Sequence, residues 1–226
     1  NDLVIPAKPI TLEGVARGGI GAGNDGTILR CSNGHAVIKS MGTSDYVDRR
    51  YYLTLRSLMV YGSGTPGFPA LELRYVSYFR AHSVNFNNSA SQLCYLHNVW
   101  DSRFYDCDFS YGGNASGTEP AVHIHGTGGE SSSNEIYFDN CRWERCPGTS
   151  FGITGSNVFC TRVTNFKMES DTTSAPIFKA TGAVDLTLAK GIITATAATG
   201  TITAMVDLTT CAAVDVDFTA QMMGSG

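Results

Sequence analysis

Two glutamates, Glu144 and Glu169, each close a short stretch of alternating apolar and polar residues, and each follows a cation by two positions, Arg142 and Lys167. If those stretches are neighbouring strands, the carboxylates come within about 5 Å of each other. That separation suits retaining glycoside hydrolysis, in which one carboxylate attacks the anomeric carbon and the other donates a proton. The same four residues also satisfy an ordinary surface ion-pair network, in which each contact is worth little. His123 and His125 flank Ile124 with Glu119 just ahead. Two imidazoles on one strand face can move protons, but no third ligand accompanies them to make a metal site.

Basic residues form a further set: Arg56, Arg80, His82, Arg103 and Arg162 recur at two spacings. They can meet the carboxylates of an acidic sugar or simply pair with Asp101, Asp106 or Asp139. Eliminases of acidic polysaccharides that depend on calcium need clustered oxygen ligands, and no Asp-rich loop supplies them. For sugar binding, the candidates are Tyr105, Tyr111, His125, Tyr137, Arg142 and Lys167. Aromatic faces cover the apolar face of a pyranose while polar neighbours take its hydroxyls. These residues surround two Gly-rich and Ser-rich loops, 112–120 and 126–134. No glycine-rich turn leads into a helix, so no phosphate-bearing cofactor is expected, and no metal.

What positions these residues is a repeat. Apolar residues recur at offsets 0, 2, 5 and 7 from starts at Leu53, Phe79, Ser102, Ile136, Thr161 and Leu186. Of these 24 positions 21 are apolar, against 5 of 24 at offsets 1, 3, 4 and 6, so one face is sorted from the other. A helix turns about 100° per residue and cannot place offsets 0 and 2 together. Two short strands can, and the jump of three between offsets 2 and 5 implies a bend that keeps both inner faces on one core. The bend position, offset 4, reads Ser57, Ser83, Asp106, Asn140, Asn165 and Lys190, mostly residues that hydrogen-bond their own turn backbone.

The starts are 26, 23, 34, 25 and 25 residues apart. Each interval holds a further apolar strand: Leu71/Leu73, Leu93/Tyr95, Val122/Ile124, Phe151/Ile153, Ile177 and Ile202/Ala204. Such a unit cannot bury its face alone, so units must stack with strands in parallel. The expected fold is therefore all-β: a parallel β-helix of seven or eight coils, residues 1–226 forming one domain. An antiparallel sandwich would not break parity six times at near-constant spacing.

Composition agrees. With 42% hydrophobic and 16% charged residues the chain is not disordered, and 25 glycines favour turns. A net charge of −4 offers no phosphate track, so no nucleic-acid partner is expected. No apolar run nears the roughly 18 residues of a spanning helix, so membrane insertion is not expected either. The seven cysteines lack paired metal spacing and are expected to be mostly reduced and buried. The start at Asn1 and the end in Gly-Ser-Gly suggest part of a longer chain. Residues 180–211, rich in Ala and Thr, are smooth enough for a subunit interface or for a narrow coil.

The segment Asn134-Glu-Ile-Tyr-Phe-Asp-Asn-Cys-Arg-Trp-Glu144 and its echo Thr161-Arg-Val-Thr-Asn-Phe-Lys-Met-Glu169 resemble coils of the pectate-lyase-like right-handed β-helices of bacteriophage tailspikes. The opening Ile5-Pro-Ala-Lys-Pro-Ile-Thr-Leu-Glu-Gly14 is similar to their first coil. The resemblance implies right-handed winding and a homotrimeric virion appendage that binds, and often cleaves, a host cell-surface polysaccharide. Polysaccharide-degrading enzymes of bacteria, secreted glycoside hydrolases or lyases, share the same coils. A structural spacer is the remaining reading.

Overall fold

In this computed structural model, residues 2–16, 26–31, 34–44, 48–127, 132–170, 175–197 and 204–224 are described. Those residues contain strands and no helix, and every strand pairing is parallel. The chain winds as a β-solenoid of about six turns, close to the seven or eight coils expected.

Each complete turn lays down three strands. The first face holds Ile38–Met41, the start of Leu71–Ser77, the start of Cys94–Tyr105, Val122–His125, Phe151–Thr154, Phe178–Thr181 and Val206–Thr209. The second holds Ile10–Glu13, Leu53–Arg56, Arg80–His82 and then the segments 102–105, 136–139, 161–164, 186–189 and 214–217. The third holds Ile28–Arg30, Met59–Tyr61, Asn85–Asn87, Asp108–Ser110, Arg142–Glu144 and Lys167–Ser170.

The register is the one the repeat implies. Ser102 pairs with Ile136, Ile136 with Thr161, and Thr161 with Leu186, while Leu55 pairs with Ala81 and Ala81 with Phe104. Inner side chains therefore stack at the coil spacing, about 4.8 Å. Phe104 lies flat on Phe138 at 4.4 Å, Phe86 on Phe109 at 5.2 Å, and Phe109 on Trp143 at 4.9 Å, all fully buried or nearly so. Two exceptions to the apolar pattern have local causes. Ser102 is buried because its hydroxyl donates to the Trp100 carbonyl and accepts from the Phe79 amide. Gly191 leaves room for the Phe166 ring, whose nearest atom lies 2.2 Å from where a Cβ would stand.

All six bend residues at offset 4 adopt left-handed backbone, with φ between 50° at Ser57 and 57° at Lys190. Side chains tie the bends together along the axis: Ser83 Oγ donates to Asp106 Oδ2 at 2.7 Å and Asn165 Nδ2 to Asp139 Oδ1 at 2.7 Å. A second left-handed column, one residue before each repeat start, was not expected. It comprises Tyr52, Tyr78, Asp101, Glu135, Cys160 and Asp185. Tyr, Glu and Cys carry no turn signature, so residue type alone gave no warning of it.

In two coils the further apolar strand is out of phase with the expected residues. Leu71 pairs with Cys94, Cys94 with Val122, Val122 with Phe151, Phe151 with Phe178, and Phe178 with Val206. The inner residues are thus Cys94 and Leu96 rather than Leu93 and Tyr95, and Phe178 and Ala180 follow Ile177. Leu93 is buried all the same at the strand entrance, where its amide and that of Cys94 both donate to the Ala121 carbonyl, as Val37 and Ile38 do to Ala70 and Ser150 and Phe151 to Ile177. Ile202 lies outside the described residues. All seven cysteines are free; four are buried, and Cys107 and Cys141 share one inner row as expected. On the last strand, Ala212–Gly224, the inner residues Val214, Val216 and Met222 are exposed, whereas Leu186 and Leu188 beneath it are buried.

The bend column makes a stability prediction at one site. Lys190 should gain up to about 1 kcal/mol on Lys190→Asn and lose about 1–2 kcal/mol on Lys190→Val, because Asn tolerates left-handed backbone and a β-branched residue does not. Urea melts of the two variants measure this. Equal midpoints would mean the bend backbone is not what limits the residue there.

Candidate functional site

On the first face the outward side chains form two rows running along the axis. One is Lys39, Glu72, Tyr95, His123 and Gly152, and the other is Met41, Arg74, His97, His125 and Thr154. Lys39, Glu72, Tyr95 and His123 of the first row, with Arg74 of the second, form the floor of a groove of about 550 Å³. Around that floor stand Asp2, His35, the 67–69 turn, Thr118 and Glu119, all from segments that lead into first-face strands.

The wall loop is the long insertion noted in the sequence. Asn114 organises it: its side-chain amide donates to Thr118 Oγ1 at 2.8 Å, and its Oδ1 accepts from Ser116 Oγ and the Glu119 amide, both at 3.1 Å. The loop lies against the next coil through Pro120, which occupies the place a side chain at Gly152 would need. A Cβ there would stand 2.3 Å from Pro120 Cγ. Gly152 thus interrupts the first outward row and lets the wall come down onto the face.

Charges on the floor are already paired. Glu72 is nearly buried and accepts from Arg74 Nε at 2.7 Å and Lys39 Nζ at 3.2 Å. Arg74 also lies over the Tyr95 ring at 5.1 Å. Burial raises the Tyr95 hydroxyl above its ordinary range, with Arg74 opposing that shift. His123 Nε2 and His125 Nδ1 both contact Thr154 Oγ1, at 2.7 and 3.0 Å. A hydroxyl has one proton, so at least one of these imidazoles must donate to it. Burial, together with the neighbouring His125 and His97, pushes His123 down to about 4, so it is neutral at ordinary pH. Its Nδ1 is buried with no hydrogen-bond partner. His125 is lowered too, by burial and then by Arg74. Tyr95 adds an aromatic ring to the floor 5.4 Å from His123, and beside the groove His97 lies 5.0 Å from His125.

The residues proposed from sequence do not share one face. His125 stands on the first face beside the groove. Tyr105 and Tyr137 are on the second face, where Arg103 stacks on Tyr137 at 3.6 Å and Arg162 approaches it from the next coil at 5.5 Å. Tyr105 is half-exposed next to His82, whose imidazole is lowered by burial and then by Arg56 and Arg80. Tyr111 follows the third face, its hydroxyl accepting from the Arg145 guanidinium. Glu144 and Glu169 do fall on neighbouring coils of the third face, as expected. Each is held by the cation on its own strand: Arg142 to Glu144 at 3.2 Å and Lys167 to Glu169 at 2.8 Å, with Arg142 also reaching Asp108 at 3.4 Å. Arg142 and Lys167 line a shallower concavity of about 470 Å³ with Asp106, Asp108 and Lys190. No described group of His, Cys, Asp and Glu could hold a metal ion.

Sequence reasoning missed the groove because Tyr95 was placed inward; Glu72, Arg74 and Lys39 carried no signal until the coils were in register. The wall loop was legible as an insertion, since inserts on a solenoid cluster on a binding face.

The fold is shared with two solved structures. The chain is similar over its whole length to ORF18 of Geobacillus virus E2, with a TM-score of 0.64 and 15% identity, and spans about half of that protein (52%). It is also similar over its whole length to an alginate lyase from Paenibacillus sp. strain FPU-7, with a TM-score of 0.54, 10% identity and 86% of that chain covered. No protein-family model and no curated protein matches the sequence.

The lowered His123 imidazole predicts an acid sensitivity. A histidine with a lowered folded pKa leaves the folded state with fewer protons than the unfolded chain, so stability falls as pH drops from about 6.5 toward 4. The His123 shift corresponds to a loss on the order of 3 kcal/mol across that window, and His123→Gln should remove that part of the slope. Denaturant melts between pH 7 and 4 test this; a wild-type profile as flat as that of the variant would refute it.

Proposed function

We propose that the protein is the glycan-binding β-helix of a phage tail appendage and that it holds a host cell-surface polysaccharide in the first-face groove. The observation that carries this reading is the groove itself, with an aromatic and neutral-imidazole floor, paired charges and a docked wall loop. Its volume of about 550 Å³ falls within the roughly 300–1,000 Å³ usual for small-molecule sites. Tyr95 and His123 offer ring surface to a pyranose. Arg74, Lys39 and Glu72, fixed by one another, offer donors and acceptors that need little reordering on binding. The similarity to a viral protein supports the virion setting, and the similarity to an alginate lyase supports a glycan ligand. A homotrimer is part of this reading, as for tailspikes.

A hydrolytic reading rests on a different observation, the place of Glu144 and Glu169 directly after the paired residues Trp143 and Met168 on neighbouring third-face strands. In that reading Glu144 and Glu169 divide the roles of nucleophile and proton donor, the donor carrying the proton it transfers, and Arg142 and Lys167 hold the two side chains in place.

The test is a printed array of bacterial surface polysaccharides, followed by oligosaccharide release from any that bind. Binding without release, weakened at least tenfold by Tyr95→Ala or Arg74→Ala, is the expected result. Release abolished by Glu144→Gln would move the site to the third face, and an array without hits would refute a glycan role.

A further inference from the structure

Where the first face turns into the second, three tyrosines stand together in solvent: Tyr51, Tyr52 and Tyr78, with 45%, 54% and 37% of their surface exposed. Tyr52 and Tyr78 belong to adjacent coils, and their rings are stacked, 5.0 Å apart and 11° from parallel. Tyr51 completes the group at 6.2 and 6.3 Å. The pair occupies the left-handed column, at φ 62° and 60°. Bulky side chains avoid that backbone. Later coils fill the same column with Asp101, Glu135 and Asp185. Turn formation therefore needs no aromatic there, and aromatic residues at two successive coils point to another role.

The corner beneath is rigid. Arg49 is buried; its guanidinium lies 3.5 Å from the Trp100 ring and donates to the carbonyls of Val76 and Asn98, fastening successive coils together. An aromatic path also leads from the groove to this corner. Tyr95 and His97 are neighbours on the groove face, His97 stacks on Tyr75 at 5.9 Å, and Tyr75 precedes Tyr78 by three residues, at most about 11 Å of chain.

We propose that Tyr51, Tyr52 and Tyr78 form a second sugar-binding shelf that, with the groove, holds successive pyranose units of one polysaccharide chain, so that the ligand is a polymer lying around the corner rather than a terminal sugar. This rests on the groove being a glycan site. The shelf suits sugar because its three exposed rings lie side by side, two of them nearly parallel and the third tilted against both, and each is tipped with a hydroxyl. An amphipathic ring of this kind covers the apolar face of a pyranose and still hydrogen-bonds at its edge. The fixed corner keeps the ordering cost of binding low.

The experiment uses the full chain, a polysaccharide found on the array, and its shortest oligosaccharide fragment that still binds. Titrations compare wild type with Tyr52→Asn/Tyr78→Asn and with His123→Ala. Asn suits left-handed backbone, so the double variant should melt no lower than wild type. The expected result is at least a tenfold loss of affinity for the polymer in the double variant, with fragment affinity unchanged, while His123→Ala weakens both. Unchanged polymer affinity in the double variant overturns the shelf. Loss in the double variant with no effect of His123→Ala keeps the shelf and overturns the groove, and a wild type that binds nothing on the array overturns both.

Discussion

The backbone hydrogen bonds that pair each strand with the same segment one coil away are the constraint on which the rest of this molecule depends. Because every pairing is parallel and almost free of register shifts, a residue's offset in its coil decides which residues it touches. Inside, that forces like on like, and flat rings are a good solution at a spacing near 4.8 Å. Phe104 on Phe138 and Phe86 on Phe109 are the outcome. At the bends it forces the same dihedral angles to recur, and outside it turns a scattered set of polar residues into rows.

The candidate groove arises where this regularity is interrupted. An insertion between the third and fourth repeat starts supplies the wall, and Gly152 removes a side chain from the outward row so that Pro120 can settle in its place. The floor is chemically unusual for a solvent-facing sheet. Glu72 is nearly buried between two cations, and His123 is kept neutral by burial and by the imidazoles beside it. Charges paired within the protein and neutral imidazoles leave a surface that recognises shape and hydroxyls more than net charge. The third-face network of Asp108, Arg142, Glu144, Lys167 and Glu169 has the opposite character, open and ionic.

Much of the fold was legible before any coordinates. The parity break at offset 4 was readable because Ser, Asp and Asn favour that backbone, and the stacking of Ile136 on Thr161 on Leu186 followed from near-constant spacing. The second bend column was not readable, since Tyr52, Glu135 and Cys160 adopt left-handed backbone only because the coils on either side hold them there. Tyr95 is the other case: Leu93, buried at the strand entrance, and Tyr95 mimic an inner pair, and alternation over so few residues cannot distinguish them from Cys94 and Leu96.

By itself the sequence determined the parallel coiled architecture, its period, its inner rows and the adjacency of Glu144 and Glu169, because these follow from local alternation repeated many times. Tertiary structure decided which outward residues meet on the first face. Glu72, Tyr95 and His123 are brought together by coil-to-coil register and by a loop docking on a distant glycine, while Tyr105, Tyr111 and Tyr137 are kept apart on different faces. A contact between coils depends on how the intervening chain wraps, and side-chain identity along one strand carries no record of that.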